Sequence, residues 1–400
     1  MALNTLGGLV VGRLVAPATL GLFHGIGLVL GYVPVLELGI LNGLNRELPY
    51  AMGKGDREQA KQLAAAGQAW ALLVGGAVCV ALWGVAGWEL VRGEAWRAAS
   101  WFTNGLLAVL LFYSQLYMET TYRTAHDFAR LALVRVLQSL AALALLVLVG
   151  VLNFYGLCLR AVLTAAVGGL LLYWWRPFRV GPRWHCGHLK QLLRVGAPIL
   201  AVGQIYMWWP VVDRTLVLGL AGTEAMGLYA VALMAVGAVG VLPAAMSQIM
   251  YPRLAQQFGV QESLAALLRL SWKPMLVTAA LLIPLVIAGW FLAPPLVRWL
   301  IPAYVEATPA MQWALPSALV ACFDPLQKVF NVIRRQGLRL VALLLGIAAY
   351  GASLLLLVEG GVYLAAFPQA MLVGRLVHTV LSLFLLWWLK RREHDGAQVP

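Results

Sequence analysis

Arg375 and His378 stand three residues apart near the middle of an apolar run at the C-terminal end. On a helix that spacing puts a guanidinium and an imidazole on one face. Asp213 and Arg214 are adjacent in "WWPVVDRTLVLGL". Neighbours on a helix point about 100° apart, so these two do not simply pair. Asp213 is expected to face a cavity or another helix, and Arg214 to reach outward along its stem. Glu37 follows Pro34 by three residues in another apolar run. Arg13 and Arg46 fall at opposite ends of apolar runs, and Arg160 falls near the end of one. Arginine suits planar, bidentate binding of an anion. A carboxylate such as Glu37 suits the carriage of a coupling proton. An Arg or Asp at the centre of a membrane helix costs about 2.5–3.5 kcal/mol, so such residues mark pathways or buried ion pairs. Trp208, with Trp209 and Tyr206, offers rings to stack on a sugar or to pack in a core. Asp324 and Lys328, four apart, read as a helical ion pair.

The surroundings of these groups fix the class. The 400 residues are 62% hydrophobic and 11% charged, with mean hydropathy +0.82. Soluble domains carry about 25% charged residues, so this chain is an integral membrane protein. Apolar runs fall near 1–12, 20–45, 63–88, 98–118, 131–153, 156–175, 195–221, 227–249, 274–292, 309–330, 340–358 and 361–389. Each has roughly the length of one helical crossing. The expected fold is all-α, with about twelve transmembrane helices. His185, Cys186 and His188 lie in a basic loop without zinc spacing or a fourth ligand, so a solvated loop is expected and no metal. The absence of a Walker loop argues against ATP use by this chain. The short outer loops, such as "NFYG" and "AGTEAM", hold no clustered acids or histidines, so no enzyme is expected.

Charge orients the helices. Most of the 29 Lys and Arg fall in alternate loops, among them Lys54–Lys61, Arg176–Lys190 and the tail at Lys390–Arg392. The intervening loops hold Arg13, Arg92, Arg97 and Arg298. This positive-inside bias predicts a multi-pass protein of the cytoplasmic (inner) membrane with both termini cytoplasmic. The net charge of +13 then faces an anionic leaflet, and nucleic-acid binding is the weaker reading. Sliding the chain on itself lays "LVAPATLGLF" (14–23) on "LAGTEAMGLY" (220–229), with Gly53 on Gly259 and Leu48 on Leu254. That is a parallel repeat of six helices, expected at 1–190 and 191–400. By the same alignment the first helix lacks about 14 residues before Met1, so a truncated start is expected.

A helix carrying "DR", a short glycine turn and then "GLYAVA" resembles the oligosaccharide/polysaccharide flippase branch of the MOP superfamily, the Wzx-type O-antigen flippases and their relatives. "GRLVAPATLGLF", "LGILNGLNREL" and "GKGDREQAKQ" are similar to the first hairpin and first cytoplasmic loop of that family. The resemblance implies two six-helix bundles around a central cavity. It implies export of a polyprenyl-diphosphate-linked oligosaccharide by alternating access, coupled to H+ or Na+ without any cofactor. Arg46, Arg214 and Arg375 would then meet the diphosphate at successive depths, assisted by Asp213, Glu37, His378, Arg13, Arg160 and Trp208. Partners would be the lipid-linked sugar, the bilayer and other polysaccharide-assembly proteins. A drug or cation antiporter of the same superfamily remains the first alternative, and a membrane glycosyltransferase or polymerase the second.

Overall fold

The structure, a computed structural model, describes residues 2–261, 263–333 and 335–394, without the side chains of residues 2–5, 202, 248, 251, 252, 255, 256, 259–261 and 394. Every regular element among the described residues is helical. The chain is an all-α, polytopic membrane protein. Each of the apolar runs falls on helix, so the twelve-helix layout in two bundles is consistent with what is seen. Among the described residues, 7 stretches are long and apolar enough to cross a membrane, including Arg57–Val91, Leu264–Leu300 and Ala366–Glu393.

Several runs, three of these stretches among them, are helical but broken. Pro17–Gly27 gives way to a short turn and the 3-10 segment Val33–Glu37, which begins beside Pro34. Ala95–Leu110 widens into a π segment, Leu111–Met118, before Glu119–Thr124. Leu146–Trp174 breaks at Asn153 (φ 49°), and Cys186–Val239 breaks at Gly222 (φ 87°). Helix starts are capped where they leave the membrane: Asp56 accepts from Gln59 N at 2.9 Å, and Asp127 accepts from Arg130 N at 3.3 Å. Each cap satisfies a backbone donor that the helix leaves without a partner.

Side-chain size is distributed as lipid requires. Val80, Val147, Phe291, Leu355 and Leu356 are exposed, whereas Ala60, Ala64, Ala66 and Ala71 are buried. Lipid gives no reason to bury large apolar side chains, and small ones let helices approach.

Contacts divide the chain into two compact units, Leu14–Thr215, and Met1–Arg13 with Leu216–Pro400. The sequence repeat divides instead at 190/191. The difference concerns two helices. In the first unit, the segment after Leu192 packs on Gly31, Gly39 and Gly43. In the second, the helix Ala2–Leu14 lays Gly8 against Met234 and Gly12 against Ile301 and Tyr304. The core of the Leu14–Thr215 unit gathers Leu44, Leu48, Leu63, Phe112, Tyr117 and Tyr122. The other unit has its own core around Met250, Leu267, Leu282, Leu326 and Phe330.

Candidate functional site

In the Leu14–Thr215 unit the chain reverses hand just after Glu37. Leu38 (φ 56°) and Gly39 (φ 94°) are both left-handed, and Ile40–Gly53 then starts as a new helix. The Glu37 side chain turns back onto that start. Its Oε2 accepts from Leu41 N at 2.6 Å and its Oε1 accepts from Asn42 Nδ2 at 2.6 Å. Its own carbonyl accepts from Trp70 Nε1 at 3.0 Å. Glu37 is 1% exposed. The carboxylate thus occupies the positive end of a helix, which is where a buried negative charge is best tolerated.

Beside this break lies a cavity of about 490 Å³, within the range of small-molecule sites. The broken helix forms one wall, the π segment a second, and residues of Ile199–Val211 a third. Its polar lining comes from Glu37, Asn42, Asn45, Gln115, Gln204 and Arg123. A second cavity in the same unit is larger, about 690 Å³, but it is lined by apolar groups such as Trp83, Phe102 and Leu159. Of these two, the first presents donors, acceptors and a cation together; a small cavity of about 110 Å³ in the same unit is lined by Ser114, Glu119, Arg135 and Gln138.

Arg123 is held from behind. Its Nη2 donates to Glu119 Oε2 at 2.7 Å, and Arg135 Nη2 donates to Glu119 Oε1 at 2.6 Å. The segment carrying both partners is anchored by Tyr122, whose hydroxyl donates to the Leu172 carbonyl at 2.8 Å. Burial pushes the Tyr122 hydroxyl up to about 12, so it stays a neutral donor at physiological pH. The π segment just upstream sets which way these groups point, since one inserted residue turns the following helix by about 100°.

Of the residues singled out in the sequence, Glu37 lines the cavity. Arg46 is exposed and follows the lining residue Asn45. Trp208 packs near Tyr32, with ring centroids 6.2 Å apart. Asp213 is buried at 2% exposure, just beyond the lining residue Val211. Arg214 is half-buried, and its charge acts on His24. Arg160 Nε donates to the Ala142 carbonyl at 2.9 Å, tying two helices together. The other unit holds the rest. Arg13 is exposed at the end of its helix. Arg375 is half-buried, and His378 is buried against Gly346. Asp324 is surrounded by the charges of Arg375, Arg339 and Lys328. Lys328 Nζ donates to the Ser247 carbonyl at 3.4 Å. At the basic loop, the His185 and His188 rings lie 4.3 Å apart. Among the described residues no group of three His, Cys, Asp or Glu is placed to hold a metal ion.

Asn42, Asn45, Gln115, Gln204 and Arg123 were not expected. The amides are polar residues inside apolar runs, so a signal was present. Arg123 counts in the sequence only as a member of a basic loop.

Helices of this kind and order define a multi-pass membrane fold, and solved transporters of the MOP superfamily share that fold. An inward-facing multidrug resistance MATE family transporter of that superfamily superposes with a TM-score of 0.80 at 15% identity, covering 99% of this chain and 96% of the other. An outward-facing one gives 0.69 at 17%, covering 99% and 94%. A MOP superfamily transporter from Pyrococcus furiosus, in which reversed polarity of the binding pocket suggests a different function, gives 0.67 at 15%, covering 98% and 93%. The polysaccharide biosynthesis protein family model matches residues 102–304, about half of the chain. The chain belongs to that family. No curated protein matches it significantly.

Proposed function

We propose that this protein moves a polyprenyl-diphosphate-linked oligosaccharide across the cytoplasmic membrane by alternating access, with both termini on the cytoplasmic side. The observation that carries the reading is the polar cavity within a membrane-spanning unit. Asn42, Asn45, Gln115 and Gln204 line it with neutral amides, and Arg123 adds a cation. Amides that both donate and accept match sugar hydroxyls, and a guanidinium matches phosphate. Membership of a polysaccharide biosynthesis family supports the same substrate class. The chemistry requires no cofactor. Alternating access would draw on a gradient of H+ or Na+, and delivery would be handed to other polysaccharide-assembly proteins.

The second reading is drug or cation export, favoured by the likeness to multidrug resistance transporters. A cation needs a carboxylate free to meet it. Both Glu37 oxygens face partners within their own helix start, Leu41 N and Asn42 Nδ2, which favours the first reading.

The test is reconstitution in vesicles loaded on one leaflet with an isoprenyl-diphosphate-linked oligosaccharide, with exposure on the other leaflet read by glycosidase cleavage. Transfer above that of protein-free vesicles is expected. Arg214→Ala and Arg375→Ala are expected to slow it at normal protein levels. No transfer, together with gradient-driven efflux of a cationic dye, would replace this reading with the second.

A further inference from the structure

Arg123 occupies a place that its apparent role in topology does not explain. The guanidinium lines the 490 Å³ cavity and its side chain is 49% exposed, whereas Glu119 behind it is only 9% exposed. Glu119 spends one oxygen on Arg123 and the other on Arg135. Two cations on one carboxylate leave the trio with a surplus positive charge. A helix needing only an i, i+4 pair would be balanced by Arg123 and Glu119 alone, and such pairs contribute little. The second arginine neutralises the acid from the far side. It frees Arg123 to act outward. Glu119 contacts Arg123 through Nη2, which carries two of the five N–H donors that a guanidinium presents in a fixed fork.

The other polar groups around the cavity fit this arrangement. Glu37 turns both oxygens toward the start of Ile40–Gly53. Asn45, Gln115 and Gln204 are neutral. Arg123 is the one cation among the described lining residues. It stands at the helix ends that lead into the basic loops, where a phosphate lying at the inner leaflet surface would arrive.

We propose that Arg123 binds the phosphate-bearing part of the substrate within this cavity, and that Glu119 and Arg135 are positioning residues that hold its guanidinium in place. The inference rests on the proposed function and names the residue that reads the diphosphate. Arg123 makes the contact itself. Glu119 fixes the fork, and Arg135 keeps Glu119 from cancelling the charge that the phosphate is to meet.

The experiment measures equilibrium binding of farnesyl diphosphate and of farnesol to the purified full chain in nanodiscs, together with melting temperature. Arg123→Ala is expected to weaken farnesyl diphosphate binding about tenfold or more, the effect of losing a charge-assisted contact. Farnesol binding and melting temperature should stay near wild type. Arg123→Lys should recover part of the affinity and not the whole, because it restores charge without the fork. If Arg123→Ala does not fold, Arg123→Gln keeps the length and some hydrogen bonding and serves the same comparison. Unchanged diphosphate affinity in the folded variant overturns the inference, as does equal loss of farnesol, which would indicate a packing role. A wild-type chain that ignores farnesyl diphosphate overturns this inference and the diphosphate substrate together. Arg123-dependent binding without transfer of lipid-linked sugar in vesicles leaves the anion site standing and removes the proposed function.

Discussion

Replacing Glu37 tests how much of a charged side chain's presence in a membrane helix is owed to backbone geometry. The 3-10 segment Val33–Glu37 ends in two left-handed residues, and the new helix begins with a donor, Leu41 N, bound to the carboxylate. Glu37→Ala leaves that donor buried without its partner, at a cost of about 1–2 kcal/mol. The variant should melt at a lower temperature in detergent, and Glu37→Gln, which keeps one acceptor, should recover part of the loss. An unchanged melting temperature in Glu37→Ala would mean that the cap contributes nothing. The sequence makes Glu37 visible as a carboxylate in an apolar run. It does not make the cap visible, because Leu38 is a residue type that seldom takes positive φ. Asp324 shows the same limit. Its spacing to Lys328 is local and easy to read, but the charges around it also include Arg375, some fifty residues later in the chain. Asn42, Gln115 and Gln204 carry no charge, and a search for ionisable groups passes over them.

Helix against helix, the tightest fit in the Leu14–Thr215 unit is a crossing of glycines. A Cβ on Gly196 would collide with the Gly39 carbonyl and with Gly43 N, and a Cβ on Gly43 would collide with the Leu192 carbonyl. These are backbone atoms, which cannot swing aside as a flexible side chain does. Gly196→Ala should therefore cost about 3 kcal/mol or prevent accumulation altogether. Gly84→Ala is the matched control. A Cβ there meets nothing within 4 Å, and replacing a helical glycine by alanine is mildly favourable, by about 1 kcal/mol. Similar losses in protein level for the two variants would show that the crossing is not what constrains Gly196. Helix positions were legible from hydropathy, since each apolar run lies on helix. Which of the 40 glycines matter was not, because the partner of Gly196 is set by packing between distant segments. The π segment was equally hidden: "LFYSQLYM" contains no proline or glycine to announce a change of pitch.

For the molecule as a whole, the distribution of Lys and Arg predicts which loops face the cytoplasm, and the native cysteines provide a test. Cys186 is exposed at the start of Cys186–Val239, just after the basic loop, while Cys79, Cys158 and Cys322 are buried. A membrane-impermeant maleimide should leave Cys186 unlabelled in intact cells and label it after permeabilisation. Glu94→Cys and Glu306→Cys should react from outside. The reverse pattern would invert the orientation. Hydropathy accumulates over many residues, so the membrane-spanning helices are legible even where single contacts are not. The membership of each unit was less legible, because the repeat aligns sequence halves and says nothing about which helix packs where. That membership bears on how the protein is made. Ala2–Leu14 is synthesised well before the segments it packs on, since its small-residue face meets Met234, Ile301 and Tyr304. At about 5–20 residues per second, those partners follow by roughly tens of seconds. This helix is thus seated long after it leaves the ribosome, and for that interval the nascent chain must shelter it by some means other than its final neighbours.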